Sequence, residues 1–167
     1  PDSETLTVLP WRPSHGRVVR LFADIRSSDG TLFPQDTRNI LKKAIADAQR
    51  EGVSVNFGTE FEFYLFRLDA EGNATNIPYD NAKYMDIAPL DRGENVRREI
   101  CLTLCEMGIR AESSHHEDGP GQNEIDFRYG DALSAADNAI TFPSVVRTVA
   151  MRNGLWADFS PKPLPLE

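Results

Sequence analysis

Apolar and polar residues alternate most regularly over 53–66. Val53, Val55, Phe57, Phe61, Phe63 and Leu65 fall on one side of an extended chain, and Ser54, Asn56, Glu60, Glu62 and Tyr64 on the other. A period of two marks a strand with one covered face. Tyr64 and Phe66 continue the polar side, so that side is expected to be partly covered too. Shorter extended runs lie at 17–25, 109–114, 124–128 and 155–159. Helical spacing governs 36–51, where Ile40, Leu41, Ala44, Ile45 and Ala48 share a stripe, Asp36 or Thr37 can cap, and Gly52 ends the helix. It returns over 91–107, with Val96, Ile100, Cys101 and Leu104 together and Gly108 after them. A third helix opens at Asp131. Its packed stripe over 137–152 is Ile140, Val145, Val146 and Val149, and Pro143 inside it predicts a kink or a second start. Residues 1–13, broken by Pro1, Pro10 and Pro13, read as irregular. Residues 68–80 read as a hairpin or loop, and Tyr84-Met85-Asp86 as a short strand or lining segment. Helices interleaved with alternating strands predict an α+β fold, a mostly antiparallel sheet backed by helices.

Charge narrows the function. The chain of 167 residues carries −8 with a pI near 4.9, which excludes the basic footprint of a nucleic-acid binder. It has no long apolar run and no signal-peptide pattern, so no membrane partner and a cytoplasmic location are expected. Cys101 and Cys105, four apart on a helix, form neither a redox pair nor a zinc set and read as two buried, reduced thiols. The abrupt start at Pro1-Asp2 reads as an excised piece, and the terminal Leu166-Glu167 as either native or a remnant. No Gly-Lys-Ser/Thr and no GxGxxG occurs, so ATP, if used, must be held through metals and scattered side chains.

The candidate chemistry gathers in 113–127, where His115, His116 and Glu117 precede Gly119-Pro120-Gly121 and Glu124, Asp126 and Arg128 alternate with Ile125 and Phe127. The Gly-Pro-Gly turn can fold Glu117 back beside Glu124. From Glu112 to Asp131 there are six carboxylates and one arginine. Such a cluster repels itself unless a cation sits in it, and oxygen ligands favour magnesium or manganese. A merely solvated acidic loop fits the same residues. Glu60 and Glu62 lie on one strand face, about 7 Å apart, a spacing at which each can serve a different metal of a pair. Without metal, mutual repulsion should raise the carboxylate pKa values.

These segments resemble glutamine synthetase of the bacterial type I class. The matching runs are Gly58 to Phe66, Ala88-Pro89-Leu90-Asp91 with Gly93-Glu94-Asn95, Ser114 to Phe127, Asp137-Asn138 with Thr141-Phe142, and Ser160 to Leu164, in collinear order. The resemblance implies part of that catalytic domain: residues 1–34 as the end of an N-terminal β-grasp-like domain, and 35–167 as the N-terminal part of the catalytic domain. It implies ATP-dependent ligation of ammonia to the γ-carboxylate of glutamate through γ-glutamyl phosphate, with two divalent cations, Mg2+ or Mn2+. Partners would be glutamate, ammonia and ATP, in a ring-type homo-oligomer. Glu60 resembles a ligand of one metal, and Glu62, Glu117 and Glu124 resemble ligands of the other. Glu112 resembles the acidic residue beside the nucleotide, with Phe127 and Arg128 along that pocket. His115 and His116 match the family and are expected to support the loop by hydrogen bonds. Thr59, Asp158 and Pro143 depart from the family's usual Pro, Thr and Lys. A γ-glutamyl–amine ligase using a polyamine therefore stands as an alternative, and a non-catalytic assembly or regulatory relative as another. The segment alone is expected to be inactive.

Overall fold

The structure, a computed structural model, describes residues 1–164. The question raised for Leu166-Glu167 lies outside the described residues. In chain order the elements are β1 (Asp2–Val8), β2 (Val19–Phe22), α1 (Thr37–Arg50), β3 (Asn56–Leu68), β4 (Ala74–Pro78), α2 (Glu94–Glu106), β5 (Ala111–His116), β6 (Gln122–Asp131), α3 (Ala132–Arg152) and β7 (Leu155–Asp158). The chain divides into two compact units, Pro1–Gly58 with Tyr129–Ala139, and Thr59–Arg128 with the chain from Ile140 onward.

In the first unit β1 and β2 pair antiparallel. The expected irregular start is thus corrected. Pro1, Pro10 and Pro13 flank the strand rather than interrupt it, and Thr5, Thr7 and Val8 supply β-branched residues inside it. The expected strand at 17–25 shortens to β2, because Ile25 turns its N–H to the Asp36 carboxylate at 2.9 Å. Asp36 also caps α1, accepting from Arg38 N at 3.1 Å. The α1 stripe buries no residue fully. Leu41, Ala44, Ile45 and Ala48 line a groove of about 510 Å³ with Val53, Val55 and Phe57.

In the second unit the sheet runs β4-β3-β6-β5, with β7 also on β3. The pairs β3–β4, β3–β7 and β5–β6 are antiparallel. The predicted covered face of β3 holds from Phe61 on, where Phe63 and Leu65 are fully buried and the exposed Glu62 alternates with them, but not for Val53, Val55 and Phe57, which are exposed. Phe142 of α3 sits against Phe61, Phe127, Phe63 and Phe159, with ring centroids 5.0, 5.1, 6.0 and 5.9 Å away. The helix continues through Pro143. Its fully buried stripe in this unit is Phe142, Val145, Val146 and Val149, without Ile140, which is 70% exposed. The reason is geometric: at 100° per residue, 142, 145, 146 and 149 share a face and 140 does not. On α2 the buried stripe is Val96, Arg97, Ile100, Thr103 and Leu104. Cys101 lies at its edge and is half-buried, while Cys105 is exposed, so the expected pair of buried thiols is not found. Residues 84–86 form a turn instead of a strand, with Met85 at φ 60° and its N–H on His116 O at 3.0 Å.

Candidate functional site

The register of β5 on β6 decides which side chains meet. Ser113 pairs with Asp126, Ser114 with Ile125, His115 with Glu124 and His116 with Asn123. Side chains alternate across a sheet, so Ser113, His115, Glu124 and Asp126 share one face, and Ser114, His116, Asn123 and Ile125 the other. The turn between the strands is fixed by its own bonds. Glu117 N donates to Gln122 O and Gln122 N to Gly119 O, both at 2.9 Å. Gly121 has φ +66°, and a Cβ there would meet Leu65 O at 2.7 Å, so the close approach of this turn to β3 requires glycine.

On the first face His115 Nε2 stands 2.9 Å from Glu117 Oε1 and 3.5 Å from Glu124 Oε2. One ligand atom from each of the three lies within 4.8 Å of the others. Among the described residues no lysine or arginine pairs with either carboxylate. The Glu124 carboxyl is pushed up to about 8, first by burial and then by hydrogen bonding and charge from Asp126 and Glu117. The expected rise is therefore found there, with burial rather than repulsion as its leading cause. Glu62 lies on the neighbouring strand, where its Oε2 accepts from Gln122 Nε2. Burial, then the charges of Glu62 and Glu117, raise the Tyr64 phenol, so both carboxylates bear on one side chain. A cleft of about 850 Å³ beside Gln122 is lined by Tyr64, Asn81, Lys83, Gly119 and Lys162 among others.

The expected site residues thus fall into groups. His115, Glu117 and Glu124 are brought together, while Glu62 stands outside that group and is tied to the loop through Gln122, whose Nε2 donates to it and whose backbone oxygen accepts from Glu117 N. Glu60 is exposed two positions earlier on β3, the strand that carries Glu62. Glu112 is exposed at an irregularity in the ladder between Ala111 and Ser113. Phe127 is 4% exposed within the aromatic core, and Arg128 is exposed. His116 faces away from the cluster, and both its ring nitrogens are engaged: Nδ1 with Glu117 O at 2.6 Å, Nε2 with Asp80 Oδ1 at 2.8 Å.

Three groups behind the loop escaped the sequence reading. Arg97 donates to Asp91 at 2.6 and 3.1 Å, to Asn123 Oδ1 at 2.6 Å and to Ser114 Oγ at 3.2 Å. Its signal was visible: a charge between Val96 and Ile100 on an apolar stripe must find a buried partner. Gln122 carried no such signal, and neither did Asp80, which is 36 residues from the histidine it holds.

The donor set fits a divalent cation. Its carboxylates and imidazole are hard to borderline ligands, and the buried Glu124 carboxyl lies close to other acids. The family model described as glutamine synthetase, catalytic domain, matches residues 34–167. A glutamine synthetase of Clostridium saccharobutylicum is 51% identical over 164 residues, which are 98% of this chain and 37% of that protein. One of Methanosarcina mazei is 50% identical over 163 residues, 98% of this chain and 36% of that protein. A solved structure described as a GmaS/ADP complex superposes with a TM-score of 0.84 at 37% identity, covering 98% of this chain and 37% of that one. The chain therefore spans a little over a third of the length of these relatives. No helix among the described residues is long and apolar enough to cross a membrane.

Proposed function

Because the chain belongs to the glutamine synthetase family through that catalytic domain, we propose that the protein containing it makes glutamine, ligating ammonia to the glutamate γ-carboxylate with ATP through γ-glutamyl phosphate. The observation that carries this reading is the convergence of Glu117 and Glu124 on His115, with Glu62 tied to the same loop through Gln122. Residues 1–34 are the end of a β-grasp-like domain and 35–167 the first part of the catalytic domain. The start of the family match at residue 34 supports that division. The whole protein is a cytoplasmic homo-oligomer of the ring type.

Glu62, Glu117 and Glu124 would hold one Mg2+ or Mn2+, and Glu60 would contribute to a second. The chemistry a cation held by these residues would supply is neutralisation of phosphoryl oxygens and of the charge that develops in transfer. The chain's own part is to hold the donors still before substrate arrives. His115 donates toward Glu117 and keeps its carboxylate turned to Glu124, and Gln122 does the same for Glu62. Glu112, with Phe127 and Arg128, lies along the nucleotide side.

The test uses the full-length parent with ATP, glutamate and either ammonium or a panel of primary amines. Ammonium-dependent release of phosphate and glutamine is expected, with Glu117→Gln and Glu124→Gln each lowering it by on the order of 10²-fold, the size of losing one group that stabilises transition-state charge. Turnover that needs a polyamine instead would transfer the reading to a γ-glutamyl–amine ligase. Full activity in both variants would refute it.

A further inference from the structure

We propose that Asp80 is a positioning residue of the carboxylate site, acting through His116 on Glu117; the inference rests on the reading of Glu117 and Glu124 as metal ligands. The His116 side chain is completely buried and that of Asp80 is 3% exposed. His116 Nε2 meets Asp80 Oδ1 at 2.8 Å, and Nδ1 meets the Glu117 carbonyl at 2.6 Å. A carbonyl only accepts, so Nδ1 carries a hydrogen, and the ring spans the two oxygens as a fixed strut. Asp80 is fixed in turn. Its other oxygen accepts from Arg92 N at 2.8 Å just ahead of α2, and its neighbour Tyr79 donates to Leu65 O of β3 at 2.8 Å.

The strut ends on the residue that matters. The Glu117 carbonyl is held by His116 and its N–H by Gln122 O, so both backbone groups of this one residue are tied. Its side chain then leaves from a set point toward His115 and Glu124. His116 is anchored on its own main chain as well, because its carbonyl accepts from Met85 N. Met85 has φ 60°, a conformation costly for a side-chain-bearing residue and retained where surroundings demand it. Without Asp80 a ring nitrogen loses its partner in a dry site, which drives the imidazole to repack. The Glu117 carbonyl then loses its tether, and the carboxylate its aim. Groups that orient metal ligands from behind change metal affinity by about 10–100-fold when removed.

The experiment uses the full-length parent, with Mn2+ as the probe and free Mn2+ read by electron paramagnetic resonance. Wild type, Asp80→Ala, Asp80→Asn and Glu117→Gln are compared, each checked for assembly state and melting midpoint. Both Asp80 variants are expected to stay assembled. Asp80→Ala should raise the Mn2+ dissociation constant by about 10–100-fold, and Asp80→Asn, which keeps one acceptor oxygen, by less. A purely structural role would lower the folded fraction and leave the affinity per folded site unchanged. Weakened binding in Glu117→Gln with unchanged binding in folded Asp80 variants overturns this inference and leaves the metal reading standing. Unchanged binding in Glu117→Gln overturns the metal reading, and this inference with it. Failure of both Asp80 variants to fold would make Asp80 a folding residue and also overturn the inference.

Discussion

Replacing Arg97 with methionine removes the cation from a pair that solvent barely reaches, with side-chain exposures of 6% for Arg97 and 1% for Asp91. Methionine keeps much of the apolar stem, so the loss is confined to charge and hydrogen bonds. The bonds lost are two to Asp91, one to Asn123 and one to Ser114. A buried carboxylate without its partner destabilises by about 3–5 kcal/mol, and an unmet amide oxygen at Asn123 by roughly 1–3 kcal/mol more. Asp91 keeps the Gly93 N–H at 2.9 Å, which offsets part of this. The net loss is on the order of 4–6 kcal/mol, and at about 2–4 °C per kcal/mol the melting midpoint of this region falls by roughly 10–20 °C. Calorimetry and urea titration of the full-length parent measure it. Adding Asp91→Asn removes the stranded charge, so the double variant should be more stable than Arg97→Met alone. A midpoint lowered by less than about 3 °C would mean that the pair contributes only the ~0–1 kcal/mol of a hydrated surface bridge, against the burial argued for it.

Gly121→Ala should destabilise more than Gly154→Ala. Both residues have positive φ, which costs an L-residue about 1–2 kcal/mol, but a Cβ at 121 also strikes Leu65 O while one at 154 meets open space; paired thermal melts decide it. Phe142→Ala should lose about 3–5 kcal/mol, as for a fully buried aromatic, read by chemical denaturation. Because Glu124 titrates near 8 without metal, Mn2+ must displace its proton below that pH. Apparent affinity should rise about tenfold per pH unit up to 8 and level off above it, with proton uptake by the buffer visible in calorimetry. The same raised pKa means the metal-free folded state binds more protons than the unfolded one. Stability in the absence of metal should therefore fall as pH rises from the ordinary carboxylate range through 8, checked by melts across that range.

Long periodic segments were legible in the sequence because their patterns repeat. The β3 alternation and the α1 and α2 stripes match the folded elements to within a few residues. The β1 strand was hidden because its prolines sit at the edges, where they do not oppose pairing. The hairpin from Glu117 to Glu124 was legible from its Gly-Pro-Gly turn. The neighbourhood of His115 was not, since it depends on register: a slip of one residue would send His116 to Glu124 and His115 into the core. Glu112, Phe127 and Arg128 take their expected role from resemblance alone, and no local spacing points to it. Asp80 and Asn123 were unreadable because their partners are set by tertiary pairing.

Anomalous diffraction from crystals of the full-length parent grown with Mn2+ reads directly whether Glu117 and Glu124 hold a divalent cation. A peak is expected bonded by carboxylate oxygens of Glu117 and Glu124 at about 2–2.3 Å, with Glu62 completing the protein ligands. A peak elsewhere, or none at saturating Mn2+ with His115 still bridging the two carboxylates, would contradict this ligand assignment.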